Sequence, residues 1–130
     1  MRLPLAVYGA VLCVCFVPIL SAQDAAKVDA KHYTVLSENA QVRILKVHYG
    51  PHEKSVMHSH PPGVAVFLTN SKARFSFPDG KTEDVNSKAG DARYTPAVTH
   101  LPENLGDNGM DVIVIELKGK AAKAAKTEMK

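Results

Sequence analysis

Cysteine is almost missing from this 130-residue chain: its two copies, Cys13 and Cys15, both fall within the first twenty-two residues. Neither follows the small residue that a lipid-modified leader needs, so no lipid anchor is expected. Past residue 22 there is no thiol, which excludes disulfides, thiol catalysis and zinc–thiolate sites from the remainder. Clustered positive charge is also scarce. With Arg2 set aside, the sixteen Lys and Arg fall to fifteen against thirteen acidic residues, leaving about +2, and that excess sits in the Lys/Ala-rich tail 119–130 and just before it. A nucleic-acid-binding face wants clustered cations interleaved with aromatics, and the body of the chain offers none, so nucleic acid is not an expected partner. The tail reads as a solvated, frayed helix or disordered end. Finally, no stretch of ten or more residues between Tyr33 and Leu117 carries apolar residues at helical spacing, which argues against a helical fold.

What the N-terminus does have is a single charge, Arg2, followed by an apolar run from Leu3 to Leu20 and the small pair Ser21-Ala22. A short positive region, an apolar region and small residues before a polar stretch form the pattern of a secretory signal peptide, here residues 1–22. An uncleaved membrane anchor is the competing reading, because about eighteen apolar residues are near the spanning length. Pro4, Gly9 and Pro18 interrupt such a helix. On the signal reading the product is secreted or periplasmic, without stable membrane insertion once the leader is removed. The remaining 108 residues suffice for one compact domain and not for two.

That domain reads as a series of short strands. Val42 to Tyr49 is rich in β-branched residues, Val64 to Thr69 is nearly continuous in apolar side chains, and Ala73 to Phe77 alternates. Pro78-Asp79-Gly80 is a strong turn before the next strand, Lys81 to Val85. Ala89-Gly90-Asp91 and Gly106-Asp107-Asn108-Gly109 are further turns, and Met110 to Leu117 closes the series. Short strands at intervals of roughly eight to twelve residues indicate an antiparallel sandwich or barrel, and the domain is placed at 31–118. Phe67, Phe75 and Phe77 are core by default.

The chemistry concentrates in His58-Ser59-His60 and, some forty residues on, His100. Residues i and i+2 of a strand project from the same face. A third imidazole from a later strand completes a set of neutral nitrogen ligands that leaves coordination positions open. His32, His48 and His52 are expected at the surface, and Asn104 with Gly106 and Asp107 is expected to serve a turn. Arg74, Arg93 and Tyr94 are candidates for a pocket wall, although strand parity alone does not say which face is inside.

The segment from Pro51 to Pro61, containing His58-Ser59-His60, resembles the first motif of the cupin superfamily. The segment from Gly90 to His100 resembles the second, and together with their spacing the likeness spans nearly the whole domain. The resemblance implies an all-β, antiparallel jelly-roll barrel as a single domain, a pocket opening at one end, and a metal ion inside the barrel. His58, His60 and His100 fall on the metal-ligand positions. The family's frequent fourth ligand, a glutamate four residues after the second histidine, is replaced by Val64. The second motif has Val98 where glycine is common, and one residue fewer before the histidine. Glu53 and Glu116 are the remaining carboxylates considered for the metal. Small cupins commonly pair, so a homodimer is also implied.

Three neutral imidazoles leave the charge of a divalent cation uncompensated, which favours an anionic or chelating small molecule. The expected cofactor is a divalent transition metal: iron, nickel, manganese or zinc. Two functions follow. One is a metal-dependent enzyme acting on a small molecule, an oxidoreductase of dioxygenase type, an isomerase or a lyase. The other is a non-catalytic module that holds a metal or small ligand. Fold alone does not choose between them.

Overall fold

The computed structural model describes residues 23–119 and residue 127. The leader 1–22, with both cysteines, and most of the tail 119–130 lie outside the described residues. No helix among the described residues is long and apolar enough to cross a membrane.

A four-residue helix, α1 (Ala25–Val28), precedes nine strands: β1 (Tyr33–Glu38), β2 (Val42–Tyr49), β3 (His58–His60), β4 (Gly63–Phe67), β5 (Ser71–Ser76), β6 (Thr82–Ser87), β7 (Ala92–Thr95), β8 (Val98–Asn104) and β9 (Met110–Leu117). They form two antiparallel sheets, one ordered β1-β2-β9-β4-β7 and the other β3-β8-β5-β6. The all-β, antiparallel architecture expected from the sequence is the one observed. The strand expectations for β2 and β9 match residue for residue, and those for β4, β5 and β6 differ by one or two residues at their ends.

The core lies between the sheets. Along β2, Leu45, Val47 and Tyr49 are buried while Lys46 and His48 face solvent. Their partners across the ladder to β9 are Val114, Val112 and Met110, so each inward position of one strand meets an inward position of the next. The next inward pair along the same two strands is Arg43 opposite Glu116. The interior thus changes from apolar to charged at one end, and the histidines lie beside that end. Phe67 is buried, Phe75 packs against the core, and Phe77 lines the interior cavity.

The packed unit begins before residue 31. Asp24 caps α1 by accepting from Ala26 N, Ala25 is fully buried, and Ser59 N donates to Gln23 O at 2.7 Å. The Pro78-Asp79-Gly80 turn forms as expected, with Gly80 at φ +84° and Asp79 Oδ1 accepting from Lys81 N. A different glycine is fixed by space. A Cβ on Gly63 would stand 2.3 Å from Ile115 O, so β4 can approach β9 this closely only with no side chain there.

Candidate metal centre

β3 is three residues long, and its alternation turns His58 and His60 inward while Ser59 hydrogen-bonds Thr99 across the strand pair at 2.7 Å. β8 pairs with β3 so that His100 sits directly opposite His58. The three imidazoles come together as a result. One ring nitrogen from each lies within 4.8 Å of the others, and the ring centroids are 4.8, 5.0 and 5.4 Å apart. Tyr33 stands against His58 and His60, and Phe75 stacks on His100 at 5.2 Å.

Hydrogen bonds fix which nitrogen each of the β3 rings leaves free. His60 Nδ1 donates to Glu116 Oε1 at 2.7 Å, and His58 Nδ1 donates to Val56 O at 2.8 Å. Each ring, in its neutral form, therefore keeps an Nε2 lone pair, and this orientation by an outer hydrogen bond is the usual way a metal-binding imidazole is set. The Nε2 atoms of His58 and His100 are buried and have no hydrogen-bond partner, although buried polar nitrogens are normally paired. Burial, and then the neighbouring His60, hold His58 down to about 4, and burial followed by His60 and His58 holds His100 down to about 3. Both rings are thus neutral at physiological pH, the form a metal requires. Orphaned lone pairs, neutrality and convergence all fit a divalent ion with nitrogen preference.

Glu116 is a backing residue, not a ligand. Its side chain is buried between His60 and Arg43, whose Nε donates to Oε2 at 2.7 Å. Arg43 reaches further to Asp24, with Nη1 and Nη2 donating at 2.7 and 2.9 Å. Glu53 is turned away and held by Lys31 at 2.6 Å and by Gly50 N at 2.8 Å. Lys31 and Gly50 N are the main causes holding its carboxyl down to about 2.

One sequence expectation is corrected. His32 is not a surface residue: it is buried, stacks on Tyr49 at 4.4 Å, and lies 2.8 Å from both oxygens of the buried Asp29. Its burial depends on Tyr49 and Glu53, 17 and 21 residues along the chain, so a local reading gave no sign of it. His48 and His52 are exposed, paired with Asp111 and Asp107. Asn104 serves a turn, as expected, accepting from Gly106 N and donating to Gly50 O and Asn108 O.

Between the sheets lies a cavity of about 420 Å³, bordered by His60 and His100 and walled mainly by Phe67, Phe75, Phe77, Val112 and other apolar side chains. Arg93 and Tyr94 line it, whereas Arg74 faces outward and pairs with Asp84. Arg93 lies 5.3 Å over the Phe67 ring and donates to Asn86 O and Asp91. On β4 the cavity-facing positions are Ala65 and Phe67, and Val64 is not among the lining residues. Neither Ala65 nor Val64 carries a ligand atom, and among the described residues the cluster offers three donor side chains.

No family model matches the sequence, and no curated protein matches it. Solved structures do resemble the fold. A cupin domain from Bordetella pertussis is 24% identical with a TM-score of 0.63, over 67% of this chain and 92% of that one. A double-stranded β-helix protein from Klebsiella pneumoniae is 21% identical with a TM-score of 0.55, over 68% and 77%. A cupin 2 conserved barrel domain protein from Salinispora arenicola is 20% identical with a TM-score of 0.51, over 74% and 82%. The two antiparallel sheets, the hollow between them and these likenesses agree: the chain has the cupin fold, with a His58/His60/His100 cluster that could hold a metal ion.

Proposed function

We propose that the protein holds one divalent transition metal ion through the Nε2 atoms of His58, His60 and His100, and uses it on a small molecule bound in the barrel. The observation that carries this reading is the pair of buried, unpartnered Nε2 atoms on His58 and His100, converging with the ring of His60. A bound metal would supply Lewis acidity or oxygen activation at the open coordination positions. The chain's own part is to hold the three rings in fixed orientation, with His58 and His100 neutral, and to set an apolar wall beside them. The small molecule should therefore carry an anionic or chelating head for the metal and an apolar body for the Phe67, Phe75 and Phe77 surfaces. Dioxygenase, isomerase and lyase chemistry all suit such a site.

Non-catalytic binding is the second reading. It is favoured by the composition of the cavity wall, where Glu83 is the single carboxylate among the lining residues. Delivery to a secreted or periplasmic location and pairing into a homodimer belong to the same proposal. An intact mass starting at or near Gln23 would support a leader ending at residue 22.

Elemental analysis of the purified protein beside His58→Ala and His100→Ala tests the metal. About one equivalent in the wild type and a large loss in both variants is expected. Equal metal content in all three proteins would remove the reading. With metal present, substrate turnover or oxygen consumption marks an enzyme, and affinity without turnover marks a binding module.

A further inference from the structure

Residues 23–32 lie outside both sheets, yet they reach the two histidines of β3 by separate routes. β8 occupies one edge of β3, and the N-terminal segment occupies the other: Ser59 N donates to Gln23 O, and Asp24 bridges to Ser59. The two residues that cap α1 then connect to different rings. Asp24, the N-cap, is bound by the Arg43 guanidinium, which binds Glu116, which accepts from His60 Nδ1. Asp29, the C-cap, accepts from the Ser55 hydroxyl at 2.5 Å, and Ser55 Oγ lies 3.2 Å from His58 Nδ1. His32 presses on Asp29 from the other side and keeps it in place.

We propose that α1 is a clasp whose cap residues, Asp24 and Asp29, act as positioning residues for His60 and His58 respectively. This rests on the metal reading above, and it adds that the metal centre is completed by chain outside the barrel. The physical reason is orientation. A ring that donates from Nδ1 presents Nε2 to the cavity, and a ring freed from that bond can rotate or hold its proton on Nε2 instead. Arg43 and Glu116 are buried together, so removing either leaves a bare buried charge and confounds the result with unfolding. Asp24 and Ser55 are better points of attack.

The experiment uses the full chain and cobalt(II) as the probe, titrated by its visible absorption, with two-bond ¹H–¹⁵N spectra of the metal-free protein reporting histidine tautomers. Asp24→Asn keeps the cap to Ala26 N, because asparagine caps helices as well as aspartate, but removes the charge opposite Arg43. It is expected to weaken cobalt binding about tenfold, the low end for outer-shell changes, to alter the cobalt spectrum, and to shift His60 toward the Nε2–H form. Ser55→Ala should act on the His58 signals and leave those of His60 alone, with a smaller loss of affinity because Val56 O still accepts. Gly80→Ala, which forces alanine into φ +84° at a remote turn, should lower the melting temperature without moving affinity or tautomers. Unchanged tautomers and affinity in both clasp variants, or an equal loss in Gly80→Ala, would overturn the clasp. A wild type that binds no cobalt would remove the metal reading, and the tautomer comparison would still decide whether the clasp orients the rings.

Discussion

Ala65 holds the position on β4 from which a side chain faces the cavity shared with His60 and His100, and its neighbour Val64 does not line that cavity. The motif spacing read from the sequence places the missing carboxylate at Val64, one residue from the position that strand parity selects. Period-two alternation makes that single step a change of face. Ala65→Glu is therefore expected to tighten binding of a divalent metal by adding a charged oxygen donor, and Val64→Glu to leave it nearly unchanged. Isothermal titration with manganese or zinc separates the two, and equal affinities for both variants would refute the assignment of faces. The histidines themselves were legible because i and i+2 need only a strand to share a side. The partners of those histidines were not: Glu116 lies 56 residues from His60 and Arg43 lies 73 from Glu116. No local pattern encodes contacts at that separation.

Among the elements, β4 shows how little room the larger sheet leaves. Gly63 pairs with Glu116 on β9 and with Thr95 on β7, so it is held from both sides. A methyl group there meets Ile115 O, a backbone atom that cannot turn away. Gly63→Ala is expected to cost about 1–3 kcal/mol, the range for overpacking a filled site, read as a lower urea midpoint. An unchanged midpoint would mean that β4 and β9 can separate there. The sequence revealed β2 and β9 fully, since each is a β-branched run with one inward face. β8 was hidden: Val98–Asn104 includes Pro102, and it is shared between two partners, with Val98 to His100 on β3 and Leu101 to Asn104 on β5. A strand that changes partner midway needs no sustained alternation, so its pattern is weak. α1 was invisible for a related reason. Four residues are too few for helical periodicity, and it is held by caps and tertiary contacts.

For the whole molecule, stability rests on packing and on a few buried polar links, and the histidine cluster sets part of its dependence on pH. In the metal-free protein, His58 and His100 bind protons only near 4 and 3 because they are buried beside one another and beside His60. In the unfolded chain they do so near 6.5. The unfolded state thus takes up protons that the folded state refuses, so stability is full above pH 6.5 and falls as pH drops toward 4. Glu53, held low by Lys31, acts only below about 4.5, so a loss between pH 6.5 and 4.5 belongs to the histidines. Thermal unfolding of chelator-treated protein across that window should show it, and a flat profile would contradict the burial of the neutral rings. On the proposed metal reading, metal in excess stabilises the folded state by mass action, by about 2.7 kcal/mol at a hundred times its Kd.

The hollow between the sheets has a mechanical consequence. The hollow of about 420 Å³ is half open, so water or a guest can enter it, and only the part that its apolar walls keep dry counts as empty volume. Unfolding removes whatever volume stays dry, a contraction within the roughly −20 to −100 mL/mol typical of proteins. Hydrostatic compression therefore works against this barrel, and a guest molecule that fills the hollow works against the compression.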